Sequence, residues 1–324
     1  MGRVTIGGQA VIEGIMMKND NRYAIAVRKP DKEIEVKVSD FQSISDRIKI
    51  FKLPIIRGVV NFIESLVLGI STLTFSASFD EEEEEEQKKE KKTRKNAKIL
   101  TPEEQEIKEK KAEKAMMAGT IAFSLVFAIA LFMLFPAWVA GMLGKVIEQR
   151  WVVAALEGIL RIVIFLGYLF LVSRLEDIQR TFMYHGAEHK TIACLEHGED
   201  LTVENVMKHS RFHKRCGTSF LFLVMIISIL FFMWIHTDTM WLRLLLRLAL
   251  VPVIAGVSYE FIRYAGKHES WLANGLSKPG LWLQRLTTSE PTEDMIEVAI
   301  RSVEGVFDWR AYLEEQRREK QDDN

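Results

Sequence analysis

The chain has 324 residues, with 43 Lys+Arg against 44 Asp+Glu and a formal net charge of −1, a balance that gives no bulk attraction to nucleic acid. Its two cysteines are too few for a disulfide-stapled secreted scaffold and read as thiols or ligands. The mean hydropathy of +0.04 averages two opposed populations: residues 115–144 hold thirty consecutive uncharged positions, while residues 80–114 carry 24 charges in 35, a pattern at odds with a wholly soluble protein.

In chain order, residues 1–52 read as a β-rich cytosolic segment. Val4–Gly8 is β structure, and Tyr23–Val27 and Ile34–Val38 form a hairpin around Lys29-Pro30-Asp31, with Ile34, Val36 and Val38 alternating with polar residues. Residues 53–79 are apolar but interrupted by Arg57, Asn61 and Glu64 at helical spacing. A crossing there would put the ten Lys/Arg of residues 1–52 and the basic stretch at 88–114 on opposite sides, against the positive-inside rule. The segment therefore reads as an interfacial or re-entrant helix. Residues 80–116 are a charged linker with nothing to bury.

A spanning helix needs roughly 20 apolar residues. Stretches 117–144 and 151–173 (helices within 117–173) and 217–235 and 241–262 (within 217–262) meet this. The 80–116 linker, the 174–216 loop and the 266–324 tail hold eleven, seven and eight Lys/Arg; the connections 145–150 and 236–240 hold two and none. The fold class expected is thus an α-helical integral membrane protein of about four transmembrane helices. A small α+β cytosolic domain accompanies them, formed from the N-terminal segment, the middle loop and a C-terminal helical segment, 263–324. The expected setting is the cytoplasmic membrane, multi-pass, with both termini and the His/Cys loop cytoplasmic; the first twenty residues contain no signal-peptide core. Within the spans, Glu157 and Arg161 either pair or line a polar pocket, and Arg243 and Arg247 are expected to snorkel to the outer surface. In the tail, Ile296, Ala299, Ile300, Val303 and Phe307 recur at helical spacing after Pro291-Thr292, an amphipathic helix for the cytosolic core.

Seven of the nine His and Cys residues fall within 185–216. Among them His185-Gly186-Ala187-Glu188-His189 is an H-x-x-E-H pattern, the inverted zincin order: on a helix both imidazoles can meet one metal while Glu188 serves a bound water as general base. The ion expected is zinc or another divalent transition metal, which would activate that water. A further ligand is required, with His213 and Cys216 ranked first and Glu260 next; Cys194 and Glu196 are nearer in sequence. His197, His209, His236 and His268 are read as surface or interfacial residues. The plainer reading is a histidine-rich loop lying against headgroups.

The run Gly7-Gly8-Gln9-Ala10-Val11-Ile12-Glu13-Gly14-Ile15-Met16-Met17 resembles the N-terminal signature of the YqhQ-like bacterial membrane proteins. So do His185–Cys194, Arg215-Cys216-Gly217-Thr218-Ser219-Phe220, Pro279–Gln284 and Leu286-Thr287-Thr288. The resemblance implies a predicted metal-dependent activity. Lys214 stands where the family pattern has proline, which bears on the turn presenting Cys216. The N-terminal signature reads either as a packed β turn or as a support in which Gln9 and Glu13 orient a ligand or a metal-bound histidine. The leading expectation is a metal-dependent hydrolase of a membrane-associated peptide or lipid, with the bilayer as partner; the competing one is a non-enzymatic scaffold or transport component with a structural or metal-sensing loop.

Overall fold

A computed structural model describes residues 5–92, 102–214, 216–235, 237, 239–267 and 271–322. Val4, residues 93–101 of the linker, Arg215, His236 and His268 lie outside the described residues. The chain divides into two units, one of residues 1–83, 169–228 and 250–324, the other of residues 84–168 and 229–249.

The first unit opens with a four-stranded antiparallel meander: β1 (Ile6–Val11), β2 (Gly14–Asn19), β3 (Arg22–Arg28) and β4 (Ile34–Asp40), in the order β1-β2-β3-β4. The expected β3–β4 hairpin forms, with Val27 opposite Glu35 and Ala24 opposite Val38. Between its strands, Lys32 has a positive φ and the Glu33 amide donates to Asp31 at 2.9 Å. β2 was not foreseen, because Gly14-Ile15-Met16-Met17 does not alternate. Both of its faces are covered, so there is no polar side to mark. Gly14 is required there, since a Cβ would stand 2.3 Å from the Ala26 carbonyl oxygen.

After α1 (Ile44–Arg47) and a short 3-10 turn comes the long α2 (Ile56–Lys92). Leu68, Phe75 and Phe79 of α2 pack with Val11, Met16, Ile25 and Val27 on one face of the sheet, and the Ile12 amide donates to Ser76. The polar positions along α2 face protein: Glu64 accepts from Ser43 and from the Ile44 amide, and Arg57 pairs with Glu260. Ile63, Val67 and Ile70 are exposed on its far side.

The other sheet face carries the main core. Ile6, Ile15, Met17 and Ala26 pack with Tyr184, Ala187, Ile192 and Leu195 of α6 (Glu176–His197) and with Met295, Ile296, Ala299 and Val303 of α11 (Glu293–Val306). The expected C-terminal amphipathic helix is thus α11, beginning after Thr292. The remaining helices are α3 (Pro102–Ile129), α4 (Phe135–Leu143), α5 (Arg150–Val172), α7 (Val203–Lys208), α8 (Gly217–Met233), α9 (Met240–Lys267), α10 (Trp271–Thr287) and α12 (Trp309–Asp322).

Four helical stretches are long and apolar enough to cross a membrane: Ile56–Phe79, Ala115–Leu143, Arg150–Val172 and Trp241–Tyr264. The set differs from the expected one in two members. Ile56–Phe79 qualifies by length and composition, although half of it faces the sheet. α8, expected as a span over 217–235, is a 17-residue helix whose apolar part is Phe220–Met233.

In the second unit Glu157 and Arg161 do pair, at 3.1 Å, and Arg247 joins them by gripping both Glu157 oxygens. Arg247 is therefore buried, 4% exposed, and does not snorkel; a carboxylate on the facing helix offers a nearer partner than the surface. A π-helical turn, Ala130–Leu134, joins α3 to α4. Pro136 has no N–H to donate to the Phe132 carbonyl, and Arg161 Nε supplies that hydrogen bond at 3.1 Å.

Candidate metal centre

The H-x-x-E-H sequence lies in the middle of α6, so His185 and His189 are one turn apart, their ring centroids 4.4 Å from each other. Each Nδ1 is bound to a backbone carbonyl: His185 to Thr287 at 2.8 Å, His189 to Arg211 at 2.6 Å. A carbonyl only accepts, so each Nδ1 carries a proton, the tautomer that leaves Nε2 as the ligand atom of a neutral ring. This is the support that metal-ligating histidines ordinarily receive. The Cys216 thiol lies 3.2 Å from His185 Nε2. One ligand atom from each of His185, His189 and Cys216 falls within 4.8 Å of the others. Cys216 immediately precedes α8, where the Thr218 amide donates to its sulfur at 3.4 Å.

Glu188 is buried beside this trio and receives the Gly8 amide. Burial pushes its carboxyl up to about 7; Cys216 adds to the rise, while His185 and the Gly8 amide oppose it. Gly8 is needed at that spot, because a Cβ would stand 2.9 Å from Glu188 Cδ. Burial likewise pushes His189 down to about 2, so its ring is neutral and available as a ligand.

His213 does not join the three. Its ring lies 5.7 Å from that of His189, and its Nε2 bonds Glu196 at 3.0 Å. Glu260 is occupied by Arg57. Cys194 is buried on the far side of the α6 turn pattern, its thiol 3.6 Å from the Asp200 carbonyl oxygen. Burial pushes it up to about 12.

The N-terminal signature contributes differently from the side-chain reading. β1 alternation turns Gly8 toward α6 and Gln9 toward α2, where Gln9 lies against Gly69. Glu13 grips Arg180 through two 2.5 Å bonds and accepts from Tyr184 at 3.3 Å, fixing the first turns of α6 rather than a ligand.

The loop and α10 supply parts that the residue types did not announce. Gln284, fully buried, accepts from the His213 amide at 2.9 Å and donates to the His213 carbonyl at 2.8 Å. Arg211 donates to the Thr288 carbonyl. Together they hold the 211–213 backbone, and with it the carbonyl on His189. Lys214 occupies the turn before Cys216, and the thiol reaches the histidines with lysine there.

The arrangement is two imidazoles and one thiol converging beside a buried acid, a donor set suited to zinc or a similar borderline ion. Three protein ligands leave a tetrahedral ion one position for water or substrate.

A family profile described as "Protein of unknown function (DUF1385)" matches residues 53–309. The chain is 34% identical over 301 residues to "Uncharacterized protein YqhQ" of Bacillus subtilis (strain 168), covering 91% of this chain and 90% of that protein. No solved structure matches.

Proposed function

The chain belongs to the YqhQ-like DUF1385 family, and from its site we propose a membrane-embedded, metal-dependent hydrolase acting on a membrane-associated peptide or lipid. The observation that carries the reading is the pair of Nδ1–carbonyl bonds at His185 and His189, with one ligand atom of each residue within 4.8 Å of the Cys216 sulfur. His185, His189 and Cys216 would hold the ion. When bound, it would lower the pKa of a water and polarise the carbonyl or phosphoryl group attacked. Glu188, buried beside these three residues, would serve as the general base that accepts a proton from the attacking water and passes it to the leaving group. Gly8 holds the Glu188 carboxylate in place through its amide.

Packing parity supports the matching topology. The sheet, α6 and α11 share one core and must occupy one face of the bilayer, so crossings between them come in even numbers. Three helices of spanning length separate the sheet from α6. α2 is the one that stays at the surface, because Leu68, Phe75 and Phe79 lie on the sheet while Ile63, Val67 and Ile70 face outward toward lipid. Between α6 and α11, α9 crosses and α8 crosses with it; its 17 residues reach about 26 Å, a few ångströms under the roughly 30 Å hydrocarbon and at the short end of spanning lengths. The basic 80–116, 174–216 and 266–324 segments then share the cytoplasmic side, and the metal centre stands beneath the inner leaflet.

The test is metal content and turnover together. Purified full chain is expected to hold about one transition-metal ion. Glu188→Gln is expected to keep the ion and fail to restore function in cells lacking the protein. A metal-free wild type, or a fully functional Glu188→Gln, contradicts the reading. The latter result with metal retained would favour the structural or sensing alternative.

A further inference from the structure

Around the connections between α4 and α5 and between α8 and α9, the second unit encloses a cavity of about 600 Å³. Its charged lining is Lys145, Glu148, Arg150, Glu157, Arg243 and Arg247. At its inner end one buried carboxylate, Glu157, is shared between two buried guanidinia, Arg161 and Arg247. That trio carries one positive charge in excess. Both guanidinia also sit against Phe232, 5.0 and 5.1 Å from the ring centroid, so the face of one aromatic ring is already engaged by them. An uncompensated cation among apolar helices is costly.

Arg247 spends both terminal nitrogens on Glu157, while its Nε is buried and has no hydrogen-bond partner among the described residues. Arg243, half-buried on the same helix one turn earlier, is oriented by a 2.7 Å bond from Nη2 to the Thr237 carbonyl. Lys145 and Arg150 are exposed. The cavity is thus graded, from exposed cations at its mouth, through half-buried Arg243, to the buried trio with its excess positive charge. That is the chemistry of an oxyanion receptor, since guanidinium groups match tetrahedral phosphate oxygens.

We infer that this cavity binds a phosphate-class oxyanion through Arg243, with Lys145 and Arg150 at its entrance and the excess positive charge of the Arg161–Glu157–Arg247 trio at its inner end. The chemistry fits equally the headgroup phosphate of an anionic lipid and free phosphate, and the experiment separates the two. The site is independent of the metal centre and stands or falls apart from it.

Full-length protein purified in neutral detergent is titrated with phosphatidylglycerol and, separately, with inorganic phosphate, following bound mass by native mass spectrometry and thermal midpoint. At least one probe is expected to bind and to raise the midpoint of the wild type. Arg243→Gln is expected to weaken that binding at least tenfold while leaving the probe-free midpoint close to wild type. Arg247→Gln carries the risk of unfolding, so Arg243→Gln and Lys145→Gln are the variants on which the inference rests. Binding of the lipid alone identifies a headgroup site; binding of inorganic phosphate with the same Arg243 dependence identifies a free-phosphate site. If neither probe binds, or if both bind equally well to wild type and Arg243→Gln, the inference is overturned.

Discussion

The Nε2 of His185 stands 3.2 Å from the sulfur of Cys216, thirty-one positions further along the chain. Thr287 holds the opposite side of the same ring. Replacing Cys216 with alanine is therefore expected to lower metal affinity at least tenfold, about 1.4 kcal/mol, with α6 intact. Equilibrium competition with a chromophoric chelator measures it; unchanged affinity would remove the thiol from the site.

The two cysteines should differ in reactivity. Cys194 is buried and its thiol is pushed up to about 12, so at pH 8 it holds almost no thiolate, the reactive form. Iodoacetamide labelling of folded, metal-stripped protein is expected to modify Cys216 first and to slow at Cys216 when metal is restored. Fast labelling of Cys194 would contradict this, read by peptide mass mapping.

Glycine tolerances separate support from scaffold. A Cβ on Gly186 would stand 2.0 Å from the Ser289 carbonyl oxygen, and the Ser289 amide donates to Phe182 at 2.8 Å, so helix and strap cannot part. Gly186→Ala should destabilise by about 3 kcal/mol. Gly8→Ala instead displaces the Glu188 side chain. It is expected to keep metal and lower activity, with the Glu188→Gln phenotype as its limit. Thermal melts and metal content on both variants check the contrast.

Acid should loosen the unit built around the sheet, α6 and α11. Burial holds His213 and His209 below their ordinary value, with the His197 ring adding to the effect at His209 and Glu199 opposing it. Below about pH 6.5 the unfolded chain takes up protons at both rings that the folded chain resists, so stability is full above that pH and falls as pH drops. Metal-stripped Glu188→Gln protein, in which the raised Glu188 carboxyl no longer offsets the effect, is expected to melt lower at pH 5.5 than at pH 7.5, and a further His209→Gln to shrink the difference. A midpoint unaffected by pH contradicts the assignment.

The topology predicts sidedness. In a background with both native cysteines replaced, Glu204→Cys should react only from the cytoplasmic side and Val146→Cys only from the opposite one, in labelling of intact and permeabilised cells. Reaction of Glu204→Cys from outside intact cells would break the parity argument.

Helical spacing made His185, Glu188 and His189 legible, since a pattern three and four apart needs only one helix to converge. The same logic found α11 from Ile296, Ala299 and Val303. Long-range partners were less legible. The Thr287 and Arg211 carbonyls and the Gly8 amide are backbone groups that every residue type carries, so nothing in the residue names marked them. Cys216 and His213 are equal candidates by sequence; the 3.2 Å approach of Cys216 to His185 and the bond of His213 Nε2 to Glu196 separate them. Arg247, read as a snorkelling residue, found Glu157 because the partner sits 90 positions away on another helix. β2 escaped notice because a strand covered on both faces loses its alternation.

X-ray absorption at the edge of the bound metal, on the purified full chain, tests most directly whether His185, His189 and Cys216 share one ion with a position left open. The account predicts two imidazole nitrogens near about 2.0 Å, one sulfur near about 2.3 Å and one further light atom exchangeable with solvent, with the sulfur lost in Cys216→Ala. A spectrum without sulfur, or one with four protein donors and no exchangeable ligand, would contradict it.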